Sequence, residues 1–234
     1  MRILALETSA KAVSAAVTED GKVLCSGYQD TGLTHSRTLM PIVEAMLKNT
    51  GLTVQDCDAV AVAAGPGSFT GIRIGVSAAK GLAFAADKPC AAVSTLEAMA
   101  RNVAHMDALV VCAMDARRSQ IYNALFEICG GKPVRLCEDR AISLAELGEE
   151  LGKMQKSAFL VGDGAQLCYN TCLDMGIPAV LAPGNLVSQS AWGVAMAAFG
   201  QTPAPAEELL PVYLRLSQAE RERQARLAAQ AAQE

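Results

Sequence analysis

The sequence is poor in aromatic side chains, since Phe, Tyr and Trp supply only five, four and one of its 234 residues. Alanine alone supplies 42 residues, so we expect a core of small side chains that lets helices and strands approach closely. With 51% hydrophobic and 19% charged residues, the composition is that of a globular protein. It excludes the disordered, collagen-like and fibrous classes.

Long apolar runs are also missing, because no stretch approaches the roughly 20 residues that cross a bilayer. The first residues (MRILALETSA) lack the basic start, apolar stretch and cleavage site of a signal peptide. We therefore expect a cytoplasmic protein with no membrane partner. The net charge of −4 lacks the basic balance of a self-sufficient nucleic-acid binder, so any RNA contact must be local or made through a partner.

Histidine is scarce, and the eight cysteines include no C-x-x-C pair. His35 and His105 stand far apart without zinc-site spacing, which predicts that the chain binds no structural metal. No Ser/His/Asp triad or Cys/His pair can be assembled from them either. The sequence therefore predicts no catalytic residue of a protease, and His35 is expected to cap a helix or lie at the surface.

Hydrophobic periodicity divides the chain into two halves with the same order of elements. In the first half the pattern predicts strands at 3–6, 13–17, 23–28, 58–64 and 90–93, with helices at 34–50, 68–86 and 95–103. In the second half it predicts strands at 109–114, 120–127, 134–137 and 159–161, with helices at 143–154, 164–175 and 188–199. Both halves begin βββαβα, so the topology is duplicated.

This duplication predicts an α/β fold of two ribonuclease-H-like subdomains, as in the actin and sugar-kinase superfamily, with mixed sheets flanked by helices. The first subdomain is expected at 1–104 and the second at 105–216, with a helix at 188–199 that can pack back on the first. Residues 217–234 are mostly Ala, Gln, Arg and Glu. They are expected to form a solvated helix or a frayed tail.

The loop at residues 65–71 (GPGSFTG) lies between a predicted strand and a helix N-terminus, where free amides can hold an anion. It matches neither a Walker loop nor a dinucleotide fingerprint, and a tight turn that needs glycines explains it equally well. Carboxylates that end the first strand of each half could position a magnesium-bound water, although turn or surface pairing is an equal alternative. The candidate nucleotide- or anion-binding residues are Glu7, Thr8, Ser9, Gly65, Gly67, Ser68, Asp115, Arg117 and Arg118.

The helix after this loop has a face nearly free of bulky side chains, built at intervals of three and four residues. Such a face lets another helix approach, either from the same domain or from a partner. The candidate interface residues are Gly71, Gly75, Ala78, Ala79, Leu82 and Ala83.

Seven segments spread along nearly the whole chain carry a family resemblance. They are residues 3–9 (ILALETS), 35–36 (HS), 65–75 (GPGSFTGIRIG), 80–83 (KGLA), 93–98 (VSTLEA), 115–118 (DARR) and 211–215 (PVYLR). Together they resemble the bacterial TsaB (YeaZ) family. The resemblance implies an actin-like fold and a role in making threonylcarbamoyladenosine beside the anticodon of tRNAs that read codons starting with A. It also implies TsaD and TsaE as partners, a homodimer when the chain is alone, and tRNA contact through the complex.

In that family the paralogue TsaD carries the chemistry, with a His-x-x-x-His metal motif after its own Gly-Pro-Gly loop. The matching positions here hold Thr95 and Met99, which are poor metal ligands. The resemblance therefore implies a non-catalytic activator of TsaD, an accessory subunit of a tRNA threonylcarbamoyltransferase and not a protease, with no required cofactor. The alternative is an actin-fold ATPase or small-molecule kinase that holds ATP or ADP with Mg through Glu7 and Asp115.

Overall fold

The computed structural model describes residues 1–215, so the predicted tail at 217–234 lies outside the described residues. The first sheet has five strands in the order β3-β2-β1-β4-β5. Its strands are β1 (Arg2–Glu7), β2 (Val13–Glu19), β3 (Lys22–Gln29), β4 (Ala59–Gly65) and β5 (Cys90–Ser94). β1, β2 and β3 form an antiparallel meander, and β4 and β5 continue the sheet in parallel with β1.

Helices cover both faces of this sheet. They are α1 (His35–Thr50), α2 (Phe69–Ala86), α3 (Thr95–Asn102) and α6 (Ala191–Ala198), the last of which returns from the second half of the chain. α1 and α2 pack on one face, and α3 and α6 pack on the other. Ten of the thirteen buried residues in the cluster around α6 are alanines, as the composition predicts. At Gly193 a Cβ would lie less than 3.0 Å from the carbonyl oxygen of Ala98, so α6 and α3 cross at very short range.

The second sheet has the order β11-β10-β6-β7-β8, and β9 also pairs with β7. Its strands are β6 (Ala108–Asp115), β7 (Gln120–Cys129), β8 (Lys132–Arg135), β9 (Arg140–Ser143), β10 (Ala158–Val161) and β11 (Ala179–Leu181), and its helices are α4 (Leu144–Met154) and α5 (Ala165–Asp174). β6 is antiparallel to β7 and parallel to β10, so this sheet is mixed like the first. The predicted fold class, two ribonuclease-H-like mixed sheets flanked by helices, is confirmed.

Some predicted elements differ in detail. β8 begins at Lys132 and ends at Arg135, so the strand predicted at 134–137 is misplaced by two residues. β9 and β11, of four and three residues, have no counterpart in the prediction because such short runs carry no readable periodicity. The boundary predicted after residue 104 stays a prediction; Ala104 lies in the turn between α3 and β6.

Candidate functional site

A cleft of about 540 Å³ lies between the two sheets. On one side of it are the ends of β1 and β4 of the first sheet, and on the other side are the ends of β6 and β10 of the second sheet. Its lining comes from the loops that follow these strands, from the start of α2 and from the last described residues. The lining residues are Ser9, Ala10, Lys11, Gly67, Ser68, Phe69, Thr70, Met114, Asp115, Ala116, Arg117, Tyr122, Asp163, Val212, Tyr213, Leu214 and Arg215. Among the predicted anion-binding residues, five line this cleft: Ser9, Gly67, Ser68, Asp115 and Arg117.

Buried hydrogen bonds fix the residues at the end of β1. Glu7 is only 1% exposed, and its Oε1 accepts a hydrogen bond of 2.5 Å from the amide of Ser9. Its Oε2 and the Ser9 hydroxyl have no hydrogen-bond partner among residues 1–215. The Thr8 hydroxyl donates to the carbonyl oxygen of Gly71 at 2.7 Å, so it is already committed to α2. Of these three predicted residues, Ser9 alone reaches the cleft wall.

Burial also changes the acidity of the carboxyl groups here. The pKa of Glu7 rises from 4.5 to about 7, mainly because burial desolvates the carboxyl group and to a smaller extent because of the nearby charge of Asp163, while hydrogen bonds from Ser9 oppose the rise. Burial likewise raises the pKa of Asp163, whose Oδ1 accepts a hydrogen bond of 2.9 Å from Gln189. A large fraction of Glu7 is therefore protonated near neutral pH.

Asp163 is the acidic residue of the cleft that the sequence analysis missed. It follows β10 between Gly162 and Gly164, at the place that Pro66 takes between Gly65 and Gly67 after β4. This repeated Gly-x-Gly pattern after equivalent strands is the signal by which it could have been found.

The glycine-rich loop packs tightly against the end of β1. The Ser68 amide donates to the carbonyl oxygen of Ser9 at 2.7 Å, and a Cβ at Gly67 would lie less than 3.0 Å from that oxygen. The Ser68 side chain caps α2 by accepting a hydrogen bond of 3.3 Å from the amide of Gly71. The tight-turn interpretation thus accounts for Gly67 and Ser68, while anion binding at Gly65, Gly67 and Ser68 stays a prediction.

The matching loop of the second sheet carries the arginines. The Arg117 amide donates to Asp115 Oδ1 at 2.7 Å, which fixes the turn after β6. Arg117, Arg118 and Ser119 have φ values of 66°, 57° and 56°, the left-handed region that side chains other than glycine rarely adopt. Arg117 lines the cleft, and Arg118 lies outside it. Their binding of an anion stays a prediction.

The small-residue stripe of α2 faces the interior of its own domain. Gly71, Gly75, Ala79 and Ala83 are buried, and a Cβ at Gly71 or Gly75 would lie less than 3.0 Å from an oxygen of Thr8. These four residues therefore pack against the first sheet and present no surface to a partner. The other two predicted interface residues, Ala78 and Leu82, are half-buried and flank the outward side of the helix.

That outward side is partly apolar. We call the residues Ile74, Ser77, Ala78, Gly81 and Phe84 the outer face of α2. Phe84 is 78% exposed, more than any other large hydrophobic residue among 1–215, and none of these residues comes within 4 Å of the Cβ position of the neighbouring Gly81. An exposed aromatic ring on a helix with an apolar flank is typical of a docking surface.

The two positions that match the paralogue's metal motif lie in packed interior. Thr95 and Met99 are 0% and 1% exposed, and the Met99 sulfur lies 3.1 Å from the Cβ position of Gly162. Within residues 1–215, no three His, Cys, Asp or Glu side chains come together as a group that could hold a metal ion.

His35 lies in the first turn of α1, and its Nε2 is 2.8 Å from the carbonyl oxygen of Ala10, a residue of the cleft wall. Thr34 occupies the N-cap position as predicted, but its side chain makes no capping hydrogen bond. His35 thus steadies the loop after β1. No helix within 1–215 has the length and apolar character to cross a membrane.

Comparison with known proteins is consistent with this geometry. The family model described as "TsaD: tRNA N6-adenosine threonylcarbamoyltransferase" matches residues 29–203. The tRNA threonylcarbamoyladenosine biosynthesis protein TsaB of Bacillus subtilis is 32% identical over 221 residues, which cover 94% of this chain and 96% of the relative. TsaB of Escherichia coli is 33% identical over 223 residues, which cover 92% and 95%.

Among solved structures, YeaZ from Pseudomonas aeruginosa superposes with a TM-score of 0.74 at 28% identity, covering 91% of this chain and 99% of that one. The match therefore extends over both sheets and the cleft between them. Because the family model and curated relatives above 30% identity cover most of its length, the chain belongs to the TsaB (YeaZ) family of tRNA threonylcarbamoyladenosine biosynthesis proteins.

Proposed function

We propose that this chain is a non-catalytic subunit that binds the TsaD paralogue through the outer face of α2 and activates it for tRNA modification. The observation that carries the proposal is the division of α2 into a buried side and an exposed, partly apolar side. The buried side holds the helix rigidly on the first sheet through Gly71 and Gly75. The exposed side presents Phe84 to solvent. A rigid helix with an aromatic anchor suits a specific interface.

Shared architecture supports TsaD as the partner. A TsaD family model matches residues 29–203 of this chain, a range that contains α2 and the strands β4 and β5 of its sheet. Related surfaces of two similar folds can pair about a pseudo-twofold axis, as identical surfaces do in a homodimer. The same outer face therefore takes a second copy of this chain when TsaD is absent. TsaE and tRNA join through the assembled complex.

The absence of catalysis in this subunit is supported by Thr95 and Met99. Both side chains are enclosed by the protein interior, and the Met99 sulfur packs against Gly162. A threonine hydroxyl and a thioether at these positions cannot replace two imidazole ligands for a hard or borderline divalent metal. We infer that the metal-dependent transfer takes place on TsaD.

The kinase or ATPase alternative receives less support. Glu7 has a pKa of about 7 and lies behind Ser9 rather than in the cleft wall, so it is a weak ligand for a magnesium ion at neutral pH. Asp115 has one oxygen engaged with the Arg117 amide. Thr8, the neighbouring candidate for a phosphate contact, donates its hydroxyl to Gly71.

Co-purification with TsaD tests the proposal. We expect Phe84→Glu to weaken the complex at least about tenfold, because it places a charge in an apolar interface. Leu173→Glu is the matched control, since Leu173 is also a large apolar side chain exposed on a helix, at 59%, but lies on α5 beside the second sheet. If Phe84→Glu binds TsaD as tightly as the wild type, or if both variants weaken binding equally, the proposed interface is wrong.

A further inference from the structure

The segment 211–215 (PVYLR) passes along the mouth of the cleft, and four of its residues, Val212 to Arg215, line it. It comes to the cleft from the first sheet, where the Val212 amide donates to the carbonyl oxygen of Ala64 at 2.7 Å. A Cβ at Gly65 would lie less than 3.0 Å from the carbonyl oxygen of Val212. The glycine at the end of β4 therefore lets this segment lie directly on the strand.

The segment is fastened to α2 by an aromatic contact. The Tyr213 ring stacks on Phe69 with centroids 4.7 Å apart and an interplanar angle of 28°. The Arg73 Nε donates to the Tyr213 hydroxyl at 2.8 Å, and the Arg73 guanidinium lies 3.9 Å from the centre of the Phe69 ring. Stacking, a cation–π contact and a hydrogen bond thus hold one residue of the segment to the first sheet's side of the cleft.

Two residues later the segment is fastened to the other side. Arg215 Nη1 donates to the carbonyl oxygen of Ala116 at 2.6 Å. Ala116 belongs to the loop after β6, between Asp115 and the left-handed residues that begin at Arg117. A charge-assisted hydrogen bond of this length is among the stronger polar contacts in proteins.

We propose that residues 211–215 form an intramolecular clasp that ties the two sides of the cleft together and limits how far it opens. The two anchors, Tyr213 and Arg215, belong to the same short stretch of chain but bind different sheets. The cleft can therefore widen only when one anchor is released. A ligand that enters the cleft meets the clasp as part of the wall. This inference does not depend on the proposed binding of TsaD.

The clasp makes a specific prediction about two substitutions. If the segment works as one bridge, releasing either end opens the cleft, and releasing both ends opens it no further. Tyr213→Ala and Arg215→Ala should then each accelerate backbone hydrogen exchange around Ser9–Lys11 and Met114–Arg117 by about tenfold. The double variant should show nearly the same acceleration as each single variant.

The experiment is hydrogen–deuterium exchange with mass spectrometry on the full chain, comparing the wild type, both single variants and the double variant. Tyr28→Ala is the matched control, because Tyr28 is a 53% exposed tyrosine on β3, away from the segment. We expect it to leave exchange at both cleft loops unchanged.

Several results would overturn the clasp. Accelerations that multiply in the double variant would mean that the two anchors act independently. Acceleration of only the loop that each side chain touches would exclude a bridge. Faster exchange throughout both sheets would mean that the segment stabilises the whole fold, and unchanged exchange at the cleft would mean that it restrains nothing.

Discussion

Replacing Gly71 with alanine should destabilise the protein, although alanine is the better helix former. A Cβ at this position would lie less than 3.0 Å from the backbone carbonyl oxygen of Thr8, which is fixed at the end of β1. Helix propensity favours the substitution by about 1 kcal/mol, but overpacking against backbone costs roughly 1–3 kcal/mol and shifts the Thr8 hydroxyl from its bond to Gly71. Because the loss of that hydrogen bond adds about 1 kcal/mol, the expected net loss is about 2 kcal/mol.

Two other glycines of α2 provide matched comparisons. At Gly75 the Cβ would press on the Thr8 hydroxyl and would lie 3.2 Å from Val62 Cγ2, so alanine there should cost about 1 kcal/mol. At Gly81 no atom of the described residues 1–215 lies within 4 Å of the Cβ position, so alanine should stabilise the protein by about 1 kcal/mol. The three substitutions are chemically the same and differ only in what each methyl group meets.

Urea unfolding measures these differences as shifts in the midpoint at an unchanged slope. The expected order of stability is Gly81→Ala, wild type, Gly75→Ala and Gly71→Ala. If Gly71→Ala stabilised the chain as much as Gly81→Ala does, the stripe would not pack on the end of β1. The separation of α2 into a buried side and an outer face would then be wrong.

Two further predictions concern Glu7 and the helix caps. Because the pKa of Glu7 rises from 4.5 to about 7 on folding, the native state keeps a proton that the unfolded chain releases, and the unfolding free energy should fall by about 3 kcal/mol as the pH rises through this range. Glu7→Gln should flatten that fall in a series of urea titrations from pH 4.5 to 8. If the unfolding free energies of the variant and the wild type changed in parallel with pH, the raised pKa would not belong to Glu7. Ser143→Ala should cost about 1 kcal/mol by removing the capping box with Glu146, as measured by thermal unfolding. Thr34→Ala should change the free energy of unfolding by less than about 0.5 kcal/mol, because the Thr34 side chain makes no capping hydrogen bond. Equal losses of stability in Ser143→Ala and Thr34→Ala would contradict this difference between the two caps.

The order of the longer elements could be predicted from the sequence because each has a clear hydrophobic period and a turn signal. The Asp20-Gly21 pair marks the β2–β3 turn, where both residues have positive φ. Periodicity also shows which residues of α2 share a face. It does not show which face meets the sheet, since both sides carry apolar residues, and so the predicted interface joined buried Gly71 to half-buried Leu82.

The candidate site was less accessible to sequence reasoning because it forms from segments distant in the chain. The loops after β1 and β6 were found because both strands end in a carboxylate, Glu7 and Asp115. Burial of Glu7 behind the cleft wall depends on how the two sheets face each other, which no local pattern encodes. Contact of Tyr213 with Phe69 joins residues more than a hundred positions apart, and the sequence carries no signal for that pairing.

The central claim, that the chain activates TsaD through the outer face of α2 and performs no transfer itself, is tested most directly by reconstituting tRNA modification from purified proteins. We expect no threonylcarbamoyladenosine from this chain without TsaD, robust formation when TsaD and the remaining pathway proteins are added, and loss of that formation with Phe84→Glu but not with Leu173→Glu. Robust modification by this chain without TsaD, or full activity of the complex with Phe84→Glu, would contradict the account.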